Sequence, residues 1–238
     1  MLLRSIDILF SNPGAFLDIA IVFFAAVAPA LLIAVTVHEF SHAFVATYLG
    51  DHTARRLGRL SLNPVRHLDP MGAIMMLLVG FGWGKAVPVN PFFLRSGPRA
   101  GMSAVSAAGP VSNLLTAFLC AVPIRAGLVP WRSPFDFAGL EGLTLSGLFA
   151  ELLGFVIFYN IILAIFNLIP LAPLDGSKVA IGLLPPGPAA AVARREAYGP
   201  VILLGVIMLD WATNLNLLWG VLRPIVNVVG LVIVGQDI

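Results

Sequence analysis

The stretch Ile19–Tyr48, IAIVFFAAVAPALLIAVTVHEFSHAFVATY, decides how the rest of the chain is read. Its first 19 residues, Ile19–Val37, carry no charge, and His38-Glu39-Phe40-Ser41-His42 follows at once. About 20 apolar residues in a helix cross the roughly 30 Å hydrocarbon layer of a bilayer. Pro29 should bend such a helix locally without ending it, because spanning helices tolerate proline. Gly50-Asp51 closes the segment. The expectation is a long transmembrane helix that carries a polar cluster towards one end.

Composition extends that reading to the whole chain. Of 238 residues, 59% are hydrophobic and only 11% charged, with a mean hydropathy of +0.96. A soluble domain carries about 25% charged residues, so the excess apolar surface must face lipid. The expected fold is an all-α polytopic membrane protein of about four to six transmembrane helices. A short re-entrant or β-strand element at the membrane edge is expected over residues 71–82, which are apolar but too short to span and run into Gly80, Gly82 and Gly84. Further spans are expected at Met102–Val122, at Leu152–Ile169 and at about 197–219, where Asp210 and Asn214 interrupt. The tail 220–235 reads as a fifth span or an interfacial helix, and residues 5–12 as a short interfacial piece. Met1–Arg4 lacks a cleavable signal pattern, so the first apolar segment is expected to be retained. The chain thus reads as one membrane-embedded domain over 1–238, its core at about 17–180 and its C-terminal membrane segments at about 195–235.

Basic residues give an orientation. Arg55, Arg56, Arg59, Arg66, Lys85, Arg95 and Arg99 fall between positions 51 and 100, and Lys178, Arg194 and Arg195 form a second group. Clustered Lys and Arg mark the cytoplasmic side, which puts 51–100 and 175–195 inside and 125–148 outside a cell (plasma or inner) membrane. Arg125 and Arg132 oppose this weakly. Nucleic-acid binding is excluded, because no basic soluble face with readout residues is present. The lone Cys120 permits no intramolecular disulfide and reads as a packing residue.

The pattern H-E-x-x-H carries the chemistry. Residues i and i+4 lie on one helix face a turn apart, so His38 and His42 can reach one tetrahedral Zn²⁺ while Glu39 takes a proton from its water. A charged group at mid-membrane costs roughly 2.5–3.5 kcal/mol even on the lenient insertion scale, which favours metal binding over idle polar surface. A catalytic zinc site needs a third protein ligand. Asp175 is the leading candidate: it closes the third span behind Pro170 and Pro173, and it arrives at the membrane edge where His42 lies. A cap for the following helix is the competing role, and spacing alone leaves both open. His52 reads as solvated, and His67 as a residue that steadies a loop near the site.

These motifs bear a resemblance. His38-Glu39-Phe40-Ser41-His42, with Asn167-Leu168-Ile169-Pro170-Leu171-Ala172-Pro173-Leu174-Asp175-Gly176, resembles the site-two protease family of intramembrane zinc metalloproteases. Gly109-Pro110-Val111-Ser112-Asn113, at the expected start of the second span, resembles a further family element, and the likeness covers most of residues 17–180. It implies that His38, His42 and Asp175 bind one Zn²⁺ per chain, with Glu39 as general base. It implies peptide-bond hydrolysis in transmembrane segments of protein substrates, near the cytoplasmic side of the lipid bilayer. Asn167 is then a contact for the substrate backbone or a support for the site. Asn113 is a further candidate support for the site, the alternative being that Gly109-Pro110 starts a helix and Asn113 makes an interhelical hydrogen bond.

The chain resembles the compact form of that family, with no room between its spans for a PDZ-type domain. A strand in Gly58–Pro91 would then pair with an unwound substrate; a re-entrant packing element is the equal alternative. Water is expected along a polar path from the cytoplasm between the first and third spans. A different class of function uses the same residues: a metal or proton transporter, with His38, Glu39, His42 and Asp175 as a transit site. The chain shows no repeated halves of the kind many transporters have.

Overall fold

The computed structural model describes residues 13–72, 84–134, 144–213 and 215–236. The chain enters on α1 (Pro13–Val22), passes through a widened π turn at Phe23–Val27, and continues as α2 (Ala28–Tyr48). The π turn has a local cause. The ring of Pro29 would strike the carbonyl four residues back, at Ala25, in a regular helix. Widening relieves that clash, and the Ala28 amide bonds instead to the Phe23 carbonyl. The helix therefore runs on through the proline, as its sequence predicts.

After a short α3 (Thr53–Arg56), the next long element is α4 (Pro98–Arg125), followed by α5 (Leu145–Asn167). The expected loop 125–148 is shorter at its far end than the sequence suggested, because Thr144 caps α5 by accepting from the Gly147 amide at 3.1 Å. Glu151, just ahead of the expected start of the span at Leu152, is buried on α5 and lies 3.4 Å from the Arg132 guanidinium. Next come α6 (Asp175–Leu183), α7 (Pro186–Arg195), α8 (Gly199–Thr213) and α9 (Leu217–Val234). The Pro/Gly stretch at 185–188 opens α7, since Pro186 sits at the first helical position, where its missing amide costs nothing.

Among the described residues, four helical stretches are long and apolar enough to cross a membrane: Phe16–Tyr48, Pro98–Arg125, Leu145–Asn167 and Leu217–Val234. The protein is thus an all-α membrane protein. The fourth of these corrects the expected span at 197–219. That stretch is divided: α8 holds 15 residues, Asn216 takes a left-handed conformation at φ 53°, and the Leu217 amide donates to Asp210 Oδ1 at 2.6 Å. The tail, Leu217–Val234, is the part long and apolar enough to cross. The expected re-entrant or strand element falls mainly on 73–83 and the interfacial piece on 5–12, both outside the described residues. Near the former, Leu68 and Gly84 form an antiparallel bridge.

The helices pack through small residues. Ala117 and Ala121 of α4 meet Ile157, Phe158 and Ile161 of α5, with Val226, Ile233 and Val234 of α9 closing the cluster. On the other side Val22, Phe23, Ala26, Val27 and Ala30 meet Phe155 and Val156. Alanine faces let backbones approach closely, where dispersion contacts replace the hydrophobic drive that lipid removes. Cys120 packs against both clusters, consistent with its reading as a packing residue.

Beyond the C-terminal end of α2, buried Asp51 staples two loops together. Its Oδ1 accepts from the Thr53 amide at 2.9 Å and the Thr53 hydroxyl at 2.5 Å, and Oδ2 accepts from the Asn90 amide at 2.7 Å. Burial opposes its charge, but those bonds and nearby Arg56 outweigh burial and hold its pKa below the usual carboxylate value. The pKa is lower in the folded than in the unfolded chain, so the stabilisation is complete above the unfolded value of about 4 and is lost as pH falls through the folded one. Asp51→Ala should therefore cost about 2 kcal/mol at neutral pH. In thermal unfolding, the gap between wild type and variant should close as the solution is acidified below that range. A gap independent of pH would remove the charge from this account.

Candidate metal centre

The histidines come from one face of α2, and both are buried. Their rings stand at 89° with centroids 4.6 Å apart. From a position 137 residues further along the chain, the carboxylate of Asp175 reaches both: Oδ2 lies 3.0 Å from His38 Nε2 and 3.2 Å from His42 Nε2. Donor atoms of these three residues all lie within 4.8 Å of one another, a group able to hold a metal ion. Asp175 is the first residue of α6 and its predecessor Leu174 occupies the cap position, so the competing capping role is not what its side chain does here.

The contacts behind the rings suit a metal. His42 Nδ1 is 2.7 Å from the Val105 carbonyl, which can only accept, so Nδ1 carries a proton and, in the neutral ring, Nε2 keeps its lone pair. His38 Nδ1 is 2.6 Å from Asn113 Oδ1. Two imidazoles so tied, with a carboxylate opposite, form a donor set typical of zinc. Burial works against the charge of Asp175, yet its closeness to His38 and His42 holds its pKa well below the carboxylate range. It is therefore an anion, as a metal-ligating carboxylate must be.

Three glycine and serine contacts make this approach possible. A Cβ on Gly109 would lie 2.6 Å from Cε1 of both His38 and His42, so only glycine lets α4 pass behind the rings. Gly109-Pro110 lies inside α4 rather than at a helix start, which corrects the expectation from sequence. A Cβ on Gly176 would fall 2.3 Å from the Leu168 carbonyl oxygen and 2.4 Å from that of Ile169. The chain thus turns tightly from the end of α5 into α6, through a cis peptide at Ala172-Pro173. Ser103 of α4 fills the space a side chain at Gly182 would take, and Arg99 holds the far end of α6 by donating to the carbonyls of Ile181, at 2.8 Å, and Leu184.

Glu39 stands beside the three donors without joining them. Its Oε2 accepts from the Val87 amide at 3.1 Å. Val87 belongs to the non-helical run Gly84–Asn90, which is fixed at several points: the Lys85 amide donates to the His67 carbonyl at 2.8 Å, Arg59 donates to the Lys85 carbonyl, and Asn90 is held by Asp51. His67 is buried, with Nε2 2.6 Å from the Ser61 carbonyl, and so supports this run. His52 is half-buried, not solvated as its sequence position suggested.

A cavity of about 300 Å³ opens onto the group. His38, Glu39 and His42 form one wall, Ala86, Val87 and Val89 another, and Asn167, Asp175 and Lys178 face them. It lies between the C-terminal ends of α2 and α5, where a water path was expected, but α4 also borders it through Met102, Val105 and Ser106. Asn167 lines the cavity, with its amide donating to the Leu163 carbonyl of its own helix at 2.9 Å. Asn113 is set deeper, behind His38, and donates to the Ala34 carbonyl at 3.0 Å and to Asn160 Oδ1 at 2.7 Å. Asn160 had drawn no attention in the sequence. Its signal was there to find, as an amide in the middle of an uncharged span.

Comparison with known proteins gives a consistent result. Residues 26–191, more than half the chain, match Peptidase family M50. A Bacillus subtilis protein named "Putative zinc metalloprotease YwhC" is 41% identical over 177 residues, covering 73% of this chain and 76% of that protein. Proteins of similar name, Rip2, from Mycolicibacterium smegmatis and Mycobacterium tuberculosis are 30% and 31% identical, covering 77% and 73% of this chain and 66% and 62% of theirs. No solved structure matches the chain significantly.

Proposed function

The chain belongs to peptidase family M50 and is a zinc metalloprotease of the membrane, and from that premise we propose that it hydrolyses peptide bonds inside the transmembrane segments of other proteins. The observation that carries this is where the donors sit. His38 and His42 lie within a 33-residue apolar helical stretch, Phe16–Tyr48, and the cavity beside them is walled by the ends of spanning helices. A peptide bond that reaches this depth belongs most simply to a membrane-embedded substrate.

In this reading His38, His42 and Asp175 hold the ion, and the domain that does so is the single membrane-embedded unit of the chain. Zinc, when bound, supplies a Lewis acid that polarises the scissile carbonyl and lowers the pKa of water toward about 7. Glu39 takes the proton from the attacking water and passes it to the leaving amine. The Val87 amide aims the Glu39 carboxylate from the wall of the cavity. A helical substrate has its carbonyls occupied, so it must unwind before attack, and the run Gly84–Asn90 offers a backbone along which an extended stretch can lie. Asn167, on the facing wall, is placed to contact that stretch. The basic residues of 51–100 and 175–195 support a site on the cytoplasmic side of the cell membrane.

Reconstitution with single-span test proteins in liposomes checks the reading. The expected result is a cut within the apolar segment, lost on treatment with a zinc chelator and restored by added zinc. Cleavage only in soluble flanking sequence, or cleavage indifferent to the chelator, would sink it.

A further inference from the structure

Behind the metal centre, three buried side chains on three helices form one line: His38 of α2, Asn113 of α4 and Asn160 of α5. Its polarity can be read from the far end. Asn160 places one atom of its amide 2.8 Å from the Val156 carbonyl, which can only accept, so that atom is the NH₂ group and Oδ1 faces Asn113. Asn113 must then present its own NH₂ to Asn160, an orientation the Ala34 carbonyl reinforces by accepting from the same nitrogen. What is left for His38 Nδ1 is the Asn113 oxygen, which cannot donate. The proton therefore sits on Nδ1, which in the neutral ring leaves the lone pair on Nε2, 3.0 Å from Asp175 Oδ2.

We propose that Asn160, acting through Asn113, is a positioning residue that fixes His38 in the tautomer and rotation a metal ligand requires. This rests on the reading of His38 as a zinc ligand. His42 needs no such device, because the Val105 carbonyl orients it directly. His38 has only an amide behind it, and an amide can rotate. With Asn160 removed, only the Ala34 carbonyl holds the Asn113 NH₂, and the flipped amide, which would favour the tautomer with the proton on Nε2 where the metal must bind, is populated more. Asn160 touches neither substrate nor metal donors, and its whole effect passes through one hydrogen bond.

The test compares purified wild type, Asn160→Leu, Asn113→Leu and the double variant. Zinc affinity is measured by competition with a chromophoric chelator, and ligand geometry by the absorption spectrum of the Co²⁺-substituted protein. Ile161→Ala, a buried neighbour on the same helix, controls for loosened packing: it should lower the melting temperature and leave zinc affinity unchanged. Asn160→Leu should bind zinc about 10- to 100-fold more weakly, with an altered Co²⁺ spectrum. The double variant should lose no more than Asn113→Leu alone, because both act through one chain. Zinc held equally by wild type and Asn160→Leu, losses that multiply in the double variant, or an equal loss in Ile161→Ala would overturn the positioning role alone. A wild-type protein that holds no zinc would overturn the proposed ligand set together with it.

Discussion

Glu39→Gln is expected to leave zinc loading at the wild-type level while slowing peptide hydrolysis by about 10²–10⁴-fold, the range of a lost general base. The substitution is nearly isosteric. A glutamine oxygen at the same place still accepts from the Val87 amide, a bond of 3.1 Å in the wild type. The three donors His38, His42 and Asp175 are untouched, since Glu39 is not among them. What disappears is basicity alone. Single-turnover cleavage, measured beside metal content by elemental analysis, separates the two quantities. A variant that cuts at the original rate would show that the proton goes elsewhere, and a variant that loses its zinc would make Glu39 part of the metal site.

The second large effect should come from one methyl group. Gly109→Ala places a Cβ 2.6 Å from Cε1 of both His38 and His42. Both rings are pinned from behind, by Asn113 and by the Val105 carbonyl, so neither can swing away without breaking a buried bond. The remaining escape is for α4 to retreat, which opens its packing against α2 and α6. Misplacement of a catalytic constellation by about 1 Å can cost 10²-fold in rate. We therefore expect Gly109→Ala to lose activity by about that factor or more, with weakened zinc binding. Gly205→Ala on α8 is the natural control, because a Cβ there meets nothing within 4 Å. Full zinc and full activity in Gly109→Ala would mean that the rings do not stand where they are described.

The contrast between those residues shows what a sequence can and cannot display. His38, Glu39 and His42 were legible because helical spacing alone brings i and i+4 to one face. Asp175 was legible through its motif, and its neighbour Gly176 now has a reason in the carbonyls of Leu168 and Ile169. Gly109 was visible only as a likeness, since nothing local says which side chains press on it. Asn160 was overlooked because its partner lies 47 residues away on another helix. The division of 197–219 was missed for a different reason. Apolar residues fill both α8 and the start of α9, so hydropathy runs on through a turn that depends on the backbone of Asn216 and on the bond from Leu217 to Asp210.

The distance along the chain between the donors has a consequence for biosynthesis. His38 and His42 leave the ribosome before Asp175, which follows 137 residues after His38 on α6, an element held against α4 through Ser103 and Arg99. A chain with only its first two long helices inserted carries both imidazoles but lacks the carboxylate. On the proposed ligand set, a nascent copy that ends short of Asp175 lacks one of the three metal donors, so peptide hydrolysis is expected only once the later helices are made.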